Sequence, residues 1–304
     1  LPAQPVAAGS AITIQAAPVA ELVGGLEFLT ICADIACGEW SYAGGLHLTS
    51  PDTSRLHGLS DLEVTAEGAL TAVTDAGDLL QARLILGPTG DLTGLTAARL
   101  TPLRDPAGQP LGGDKARADA EGLASLAAGR LVSFEHNHRI WLYPMGGGPP
   151  RPAPSPTAVF PDNEGLEALA ADPERGTDAY VAGAEASGET WLCRLATGCA
   201  AGPKVAKPAD MGLVAAVRVG PDRMAWLLRG YDPLRGARVE LRVTDDALRR
   251  VDELRIERPA TVDNFEGLAA VPRRDGTIRF YILSDDNFSA SQRTLLLAFD
   301  WKAP

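Results

Sequence analysis

Glu121-Gly122-Leu123 recurs along the chain as Glu164-Gly165-Leu166 and again as Glu266-Gly267-Leu268. Degenerate copies stand at His57-Gly58-Leu59 and Met211-Gly212-Leu213, so successive glycines are separated by 43 to 64 residues. Spacings of roughly 40 to 50 residues are typical of the blades of a β-propeller. Each copy runs into an apolar strand pattern and then, after a polar turn, into a second strand. We therefore predict an all-β chain that folds as a single β-propeller.

The number of blades follows from counting these repeats together with the N-terminal part of the chain. Five copies plus the segment Gly44-Gly45-Leu46 favour six blades, although five or seven also fit. An open ring would leave unpaired strand edges. We expect a strand at residues 11–15 to pair with the C-terminal run 293–301, which closes residues 1–304 into one domain.

Three segments are expected to lie outside the blades. Residues 1–10 have the composition of a flexible, proline-containing tail. Residues 104–117 are rich in Gly, Pro and Asp, and residues 145–156 contain a glycine run followed by several prolines. We predict that both internal segments are exposed loops.

The chain carries a net charge of −11, from 39 acidic and 28 basic residues. A field of this sign repels a phosphate backbone, so nucleic acid is not an expected partner. No apolar stretch approaches the roughly 20 residues that a membrane-spanning helix needs. The sequence therefore predicts no membrane span.

The four cysteines form two pairs that are close in sequence, Cys32 with Cys37 and Cys193 with Cys199. Neither spacing is the Cys-x-x-Cys typical of zinc sites, so two local disulfides are the favoured interpretation and zinc is the alternative. Disulfides indicate an oxidising compartment. Because the chain also opens without a methionine, we expect a processed, periplasmic or secreted protein.

Glu121, Glu164 and Glu266 share one position of the repeat, so a propeller would gather them around its axis. Like charges about 4 Å apart cost on the order of 4 kcal/mol per pair at an effective dielectric of ~20, which calls for a counter-charge or raised pKa values. With the neighbouring amides Asn163 and Asn264, these oxygens suit Ca²⁺, or else Mg²⁺. The alternative is that each glutamate only accepts hydrogen bonds from backbone amides of the adjacent blade.

A second set of side chains closes the second strand of each repeat. Its members are Asp75, Glu135, Glu185, Arg229 and Asp285. We interpret Glu135 and Asp285 as candidate general bases, and Arg229 and Arg139 as candidate groups that steady developing negative charge. His138, Asn287 and Arg293 are predicted to contact the substrate. The alternatives are a surface ion pair between Glu135 and Arg139 at a hairpin and an ordinary Asx turn at Asp285.

Several longer motifs accompany the repeat. They are Gly58-Leu59-Ser60-Asp61-Leu62, Asp119-Ala120-Glu121-Gly122-Leu123, Ser133-Phe134-Glu135 with His138-Arg139-Ile140, Asn163-Glu164-Gly165-Leu166-Glu167-Ala168-Leu169, Asn264-Phe265-Glu266-Gly267-Leu268, and Ser284-Asp285-Asp286-Asn287-Phe288 with Gln292-Arg293-Thr294. Together they resemble the phytase-like family of exported bacterial propellers, also described by the esterase-like activity of phytase. The resemblance covers roughly residues 44–301 and implies a propeller fold and export.

These observations lead us to predict an exported, metal-dependent hydrolase of small phosphate or carboxylic esters, with an acidic site in the central channel. The sequence contains no Gly-x-Ser-x-Gly elbow and no phosphate-cradling Walker loop. Two alternatives stay open: a non-catalytic propeller that binds a ligand or partner protein, and a lactonase-like propeller that uses the same central metal.

Overall fold

The computed structural model describes residues 9–19, 38–112 and 114–304. Three strands come first and complete sheets that are formed mainly by later parts of the chain: β1 (Ser10–Ala11), β2 (Gln15–Pro18) and β3 (Glu39–Thr49). Blade 1 then follows with β4 (Leu59–Val64), β5 (Ala69–Thr74), β6 (Asp78–Leu86) and β7 (Leu92–Pro102).

A short helix precedes the second blade, and a short helical turn lies within the third. After the helix α1 (Lys115–Ala118), blade 2 consists of β8 (Ala120–Leu126), β9 (Gly129–Phe134), β10 (Arg139–Pro144) and β11 (Arg151–Ala153). Blade 3 consists of β12 (Leu166–Ala171), β13 (Ala179–Ala184), β14 (Thr190–Arg194) and β15 (Gly198–Ala201), with a 3₁₀ turn at Pro173–Arg175.

The last two blades complete the ring. Blade 4 contains β16 (Met211–Arg218), β17 (Arg223–Asp232), β18 (Gly236–Asp245) and β19 (Arg250–Glu257). Blade 5 contains β20 (Asn264–Pro272), β21 (Ile278–Asp285) and β22 (Leu295–Lys302), and its fourth strand is β3.

The first strands of these blades contact one another in a closed cycle, β4–β8–β12–β16–β20 and back to β4. The described residues thus form a propeller of five four-stranded blades, one of the counts that the sequence allowed, rather than the preferred six. The difference arises because Gly44-Gly45-Leu46 belongs to the outer strand of blade 5 and does not start a blade of its own.

Pairing of N- and C-terminal strands closes the ring, as predicted, but the N-terminal partner is β3 rather than residues 11–15. Leu46 of β3 lies opposite Leu296 of β22 in an antiparallel ladder. β1 pairs with β7 instead, and β2 pairs with β3. A single parallel pair, Gly44 with Leu92, joins blades 5 and 1 into one continuous sheet.

Five apolar clusters of the core lie between neighbouring blades, each formed by residues of two adjacent blades. Because an interior strand is covered on both faces, it reads as a continuous apolar run and not as an alternating one. Strand β13 illustrates this, since all six of its residues are buried.

The two predicted loops are partly ordered into secondary structure. The segment 104–117 carries an antiparallel bridge between Arg104 and Pro110 and contributes most of α1. The segment 145–156 contains β11, the outer strand of blade 2. Of the predicted tail 1–10, residues 1–8 lie outside the described residues and Ser10 begins β1. The part of the chain that the structure describes has no helix long and apolar enough to cross a membrane.

One of the two predicted disulfides is present. Cys193 and Cys199 are bonded and lie opposite each other on β14 and β15. Cys32 and Cys37 lie outside the described residues.

Replacing Cys193 and Cys199 by serine is expected to lower the free energy of unfolding by about 2 kcal/mol. The bond closes a short loop, and the entropy it removes from the unfolded chain is correspondingly small. Urea denaturation of the variant and of the wild type measures the difference. Addition of a reductant should destabilise only the wild type; equal sensitivity in both would contradict this assignment.

Candidate functional site in the central channel

Each first strand is irregular near its start, and the irregularity determines which side chain enters the channel. The pairing register between the first and second strands shifts at the following points: Leu59/Leu62, Ala120/Leu123, Leu166/Ala168, Leu213/Ala215 and Phe265/Gly267. A bulge of this kind adds a residue to one strand and re-aims its side chain. The added positions in blades 2, 3 and 5 are occupied by Glu121, Glu167 and Glu266.

Glu164 is therefore not the structural equivalent of Glu121 and Glu266. It is exposed in the loop that precedes β12, although it still lines the channel cavity, and Glu167 occupies the bulge three residues later. The ring of Glu121, Glu164 and Glu266 that the sequence predicts is thus replaced by one of Glu121, Glu167 and Glu266. Residues 164–166 match the motif in sequence, but they lie before the bulge, which is the position that the motif occupies in blades 2 and 5.

In blades 2 and 5, the glycine of the repeat is required because a larger residue would not fit. A Cβ atom added to Gly122 would lie 2.6 Å from the Glu167 carbonyl oxygen, and one added to Gly267 would lie 3.1 Å from that of Ser60. Neighbouring first strands approach closely at this level, which positions the adjacent glutamates around one axis.

The second set of predicted residues is assembled at the same end of the ring. Asp75, Glu135, Glu185, Arg229 and Asp285 each follow the residue that pairs with the start of the bulge, and all five line the cavity. In antiparallel pairs the end of the second strand meets the start of the first. Both sets consequently face one cavity of about 1020 Å³.

Carboxyl groups dominate the lining of this cavity. Its acidic residues are Asp75, Asp119, Glu121, Glu135, Glu164, Glu167, Glu185, Asp210, Asp263, Glu266 and Asp285. Its basic residues are Lys115, Lys207, Arg229, Arg258 and Arg293. The cavity is therefore the local acidic cleft that the net charge alone could not locate.

Burial and mutual repulsion raise the pKa values of the three bulge glutamates. Burial raises the pKa of Glu121 well above its usual range, and the carboxylates of Glu266, Asp119 and Glu135 add to the effect. Burial also raises the pKa of Glu167 well above its usual range, and Glu185 adds to it. For Glu266, burial raises the pKa to about 8 although the Arg229 guanidinium opposes the rise.

Arg229 is the cation that partly offsets this repulsion. Its Nη2 donates to Glu185 Oε1 at 2.9 Å, and its Nη1 donates to Asn264 Oδ1 at 2.8 Å and to Glu266 Oε1. Burial alone would lower the pKa of Arg229, but Glu266, Glu167 and Glu185 raise it above its ordinary value. Blade 4 thus supplies a positive charge where the other four blades supply carboxylates.

A compact group of possible metal ligands lies at blade 2, and two of its three members, Asp119 and Glu135, line the cavity, whereas His136 does not. Ligand atoms of Asp119, Glu135 and His136 all lie within 4.8 Å of one another. His136 Nε2 is 3.1 Å from Asp119 Oδ2, and the Nζ of Lys115 is 3.7 Å from Asp119 Oδ1. Burial, with repulsion from Asp119, raises the pKa of Glu135 to about 7.

Three buried carboxyl groups of the cavity, those of Asp75, Asp119 and Glu135, have at least one oxygen without a hydrogen-bond partner among the described residues. Asp75 Oδ1 and Glu135 Oε1 have no hydrogen-bond partner among the described residues, although both side chains are largely buried. Burial and the neighbouring Asp285 carboxylate raise the pKa of Asp75 to about 7. Buried acceptors normally have a partner, so these oxygens are available to a cation or a hydrogen-bond donor.

Asp285, Asn287 and Arg293 line the cavity as predicted from the sequence. Burial raises the pKa of Asp285 to about 6, although the Asn287 amide, which donates to Oδ1 at 2.7 Å, opposes the rise. Arg293 Nε donates to Asp263 Oδ2 at 3.2 Å. Asp286 points elsewhere and accepts hydrogen bonds from the Gly58 amide and the Thr294 hydroxyl.

Arg139 and His138 are not among the residues that line the cavity. The Arg139 guanidinium lies over the rings of Phe134 and Trp141, 4.0 and 4.4 Å from their centroids. His138 Nε2 lies 2.9 Å from the Pro161 carbonyl oxygen. Residues 135–138 form a turn, and the two side chains diverge there: Glu135 faces the cavity, whereas Arg139 packs on aromatic rings.

The backbone-latch alternative is realised by a different acid. Asp61 Oδ2 accepts from the Leu123 amide at 2.9 Å, and Oδ1 accepts from the amides of Leu62 and Leu268 at 2.8 and 3.2 Å. One buried carboxylate thereby ties blades 1, 2 and 5 together.

Sequence reasoning missed three members of the site, namely Asp119, His136 and Glu167. Asp119 stands two residues before Glu121, and His136 directly follows Glu135, so adjacency to the predicted residues was the available signal. Glu167 could have been found by aligning Glu167-Ala168-Leu169 with the repeat in place of Glu164-Gly165-Leu166.

Solved structures resemble this chain only distantly. A structure of the nidogen/laminin complex is 10% identical over 85% of this chain and 96% of that one, with a TM-score of 0.47. Virginiamycin B lyase from Staphylococcus aureus is 9% identical over 94% and 99% of the two chains, with a TM-score of 0.45. This chain covers 58% of the chain of Kuenenia stuttgartiensis hydrazine synthase, at 10% identity and a TM-score of 0.41.

The search of curated proteins found no match. The family model described as "Phytase-like: Esterase-like activity of phytase" matches residues 54–288, which include all five first strands and every predicted catalytic residue. This propeller, with its acidic channel, belongs to the phytase-like family.

Proposed function

We propose that this protein is an exported hydrolase of small phosphate or carboxylic esters that requires a divalent cation in its central channel. The observation that carries the proposal is the convergence of Asp119, Glu135 and His136 beside buried carboxylate oxygens that have no partner. Membership of the phytase-like family supports a hydrolytic role. The disulfide on blade 3 supports export to an oxidising compartment.

The donor atoms fit a divalent cation. Carboxylate oxygens with one imidazole suit a hard or borderline ion, and we propose Ca²⁺, with Mg²⁺ as the second candidate. Asp119, Glu135 and His136 would hold the ion, with Glu121 as a further oxygen ligand in place of the exposed Glu164. A bound divalent cation would polarise an ester oxygen and lower the pKa of an attacking water.

The remaining residues of the cavity provide proton transfer and charge stabilisation. Asp285, with a pKa of about 6, is largely ionised near neutral pH and can accept a proton from water as a general base. The backbone amide of Asn287 donates a hydrogen bond to Asp285 Oδ1, which leaves Oδ2 as the oxygen that would accept the proton. Arg229 would steady the negative charge that develops on the ester, with Asn287 and Arg293 contacting the substrate.

Metal analysis and an ester panel test this proposal together. Purified protein should bind about one Ca²⁺ per chain and hydrolyse at least one phosphate or carboxylic ester. Asp119→Asn should reduce both, because it removes a ligand charge, whereas Glu174→Gln, an exposed acid on blade 3 outside the cavity, should change neither. Absence of a stoichiometric cation in the wild type, or full activity after its removal, would overturn the proposal.

One observation favours a non-catalytic, ligand-binding propeller as the second candidate. Arg229 is already committed to Glu185, Glu266 and Asn264, so it needs to exchange partners before it can stabilise a transition state. A protein that binds the cation and a small ligand but hydrolyses nothing in the panel would establish this alternative.

A further inference from the structure

We propose that the channel selects carboxylic esters that carry a positively charged ammonium group, in preference to polyanionic phosphoesters. This inference rests on the proposed function and names the substrate class of the same site. Four features of the cavity support it. They are its excess of acidic residues, the ion pairs that its basic residues already make, the carboxyl oxygens that lack a hydrogen-bond partner among the described residues, and one exposed aromatic ring.

The cavity charge is the first argument. Eleven acidic and five basic residues line a space enclosed by the low-dielectric walls of five blades. Such a cleft focuses the field of its charges and raises the local concentration of ligands of opposite sign. The acidic residues exceed the basic ones by six; one divalent cation would offset two of these charges, and protonation of the carboxyls with raised pKa values would reduce the remainder. An ester with a cationic group is therefore favoured over one with several phosphates.

The basic residues of the cavity are the second argument, because most are already paired. Lys115 Nζ lies 3.4 Å from Asp75 Oδ2, and Arg293 is bonded to Asp263. Arg229 forms ion pairs with Glu185 and Glu266. A phosphate group would have to compete with these internal carboxylates for each guanidinium or ammonium.

Some buried carboxyl groups of the cavity have an oxygen without a hydrogen-bond partner in the part of the chain that the structure describes. Asp75 and Glu135 are 8% and 9% exposed, and each has one oxygen without a hydrogen-bond partner among the described residues. They belong to blades 1 and 2, whereas Arg229 lies on blade 4. Glu135 is one of the proposed cation ligands, but Asp75 is not, so Asp75 Oδ1 is available to an ammonium group of the substrate.

Tyr231 is the fourth argument. This side chain lines the cavity at the end of β17 and is 72% exposed, which is unusual for so large an aromatic residue. The face of an aromatic ring attracts quaternary ammonium groups through a cation–π interaction. The ring thus gives the same cavity a second group that recognises such a cation, on the blade 4 side.

Binding of matched probes to the cation-bound protein tests the inference without requiring hydrolysis. The acetate ester of choline is compared by calorimetry with 3,3-dimethylbutyl acetate, its neutral isostere, and with inositol hexakisphosphate. We expect the ammonium ester to bind at least tenfold more tightly than the isostere, and this preference to shrink at high salt. Tyr231→Leu should weaken binding at least threefold, whereas Tyr231→Phe and the neighbouring exposed Leu234→Ala should not.

The outcomes separate this inference from the proposed function. Equal binding of the neutral isostere, or tighter binding of the polyphosphate, would overturn the ammonium preference even if esters are hydrolysed. Preferential ammonium binding without hydrolysis of any ester would retain the preference and overturn the proposed catalysis.

Discussion

Glu135→Gln is expected to reduce Ca²⁺ affinity about a hundredfold and, at the same time, to stabilise the cation-free protein at pH 8. The first effect follows from losing a ligand charge in the group formed with Asp119 and His136. The second follows from the raised pKa of Glu135, about 7 against an ordinary 4.5. A carboxyl group that the fold holds at a raised pKa stabilises the protein only while it is protonated.

The sign and size of the stability effect follow from this linkage. The contribution of Glu135 is complete below pH 4.5 and is lost as the pH rises through about 7. At pH 8 the wild type therefore carries the full penalty of a buried charge, which is about 3 kcal/mol as an upper bound at ~1.4 kcal/mol per pKa unit. A glutamine is neutral at every pH and therefore avoids this penalty of a buried charge.

Urea denaturation in metal-free buffer at pH 5 and pH 8, combined with calcium titration, measures both effects of Glu135→Gln. The variant should gain stability relative to wild type at pH 8 and gain little at pH 5. Glu174→Gln is the matched control and should leave stability and calcium affinity unchanged. A variant that is less stable than wild type at pH 8, or that binds calcium normally, would contradict the assignment of Glu135.

Asp61→Ala is expected to lower the free energy of unfolding by about 3 kcal/mol or more. The substitution leaves the buried amides of Leu62, Leu123 and Leu268 without their acceptor, and an unsatisfied buried group costs about 1–3 kcal/mol. Because these amides belong to three blades, losing their hydrogen bonds to Asp61 also weakens the contacts that hold blade 1 in the ring.

Thermal and urea unfolding of Asp61→Ala and Asp61→Asn check this role. Asparagine keeps one carbonyl oxygen but turns an NH₂ group toward backbone donors, so it should also destabilise the protein. Asp222→Ala removes an exposed aspartate at the start of β17 and should have almost no effect. If Asp61→Ala is as stable as Asp222→Ala, then Asp61 does not act as a latch.

The repeat predicted the architecture well because blade formation depends on local signals. The apolar runs, the turn residues and the acid or arginine that ends each second strand are all visible within about 40 residues. Asp75, Glu135, Glu185, Arg229 and Asp285 therefore reach the same cavity that the sequence assigned to them. Family membership and the Cys193–Cys199 disulfide are confirmed as well.

The errors arose where pairing between distant segments decides the outcome. The sequence predicts Glu164 because Gly-Leu follows it, but the bulge in β12 selects Glu167. Gly44-Gly45-Leu46 resembles a blade start and favours six blades over five, whereas pairing with β22 makes it part of an outer strand. The Glu135–Arg139 pair expected at the hairpin does not form, because Arg139 packs on the rings of Phe134 and Trp141.

The amino-acid sequence by itself determined that this chain is an all-β propeller with carboxylates at one end of its strands, because both properties follow from short-range patterns of polarity and turn residues. Only the tertiary structure decided which carboxylates meet, because a one-residue bulge exchanges one side chain for another and burial then alters its charge. The separation of Asp61 as a latch from Asp119, Glu135 and His136 as candidate ligands has the same physical origin. It depends on which neighbouring blade presents backbone amides to each acid, and that arrangement exists only once the ring is closed.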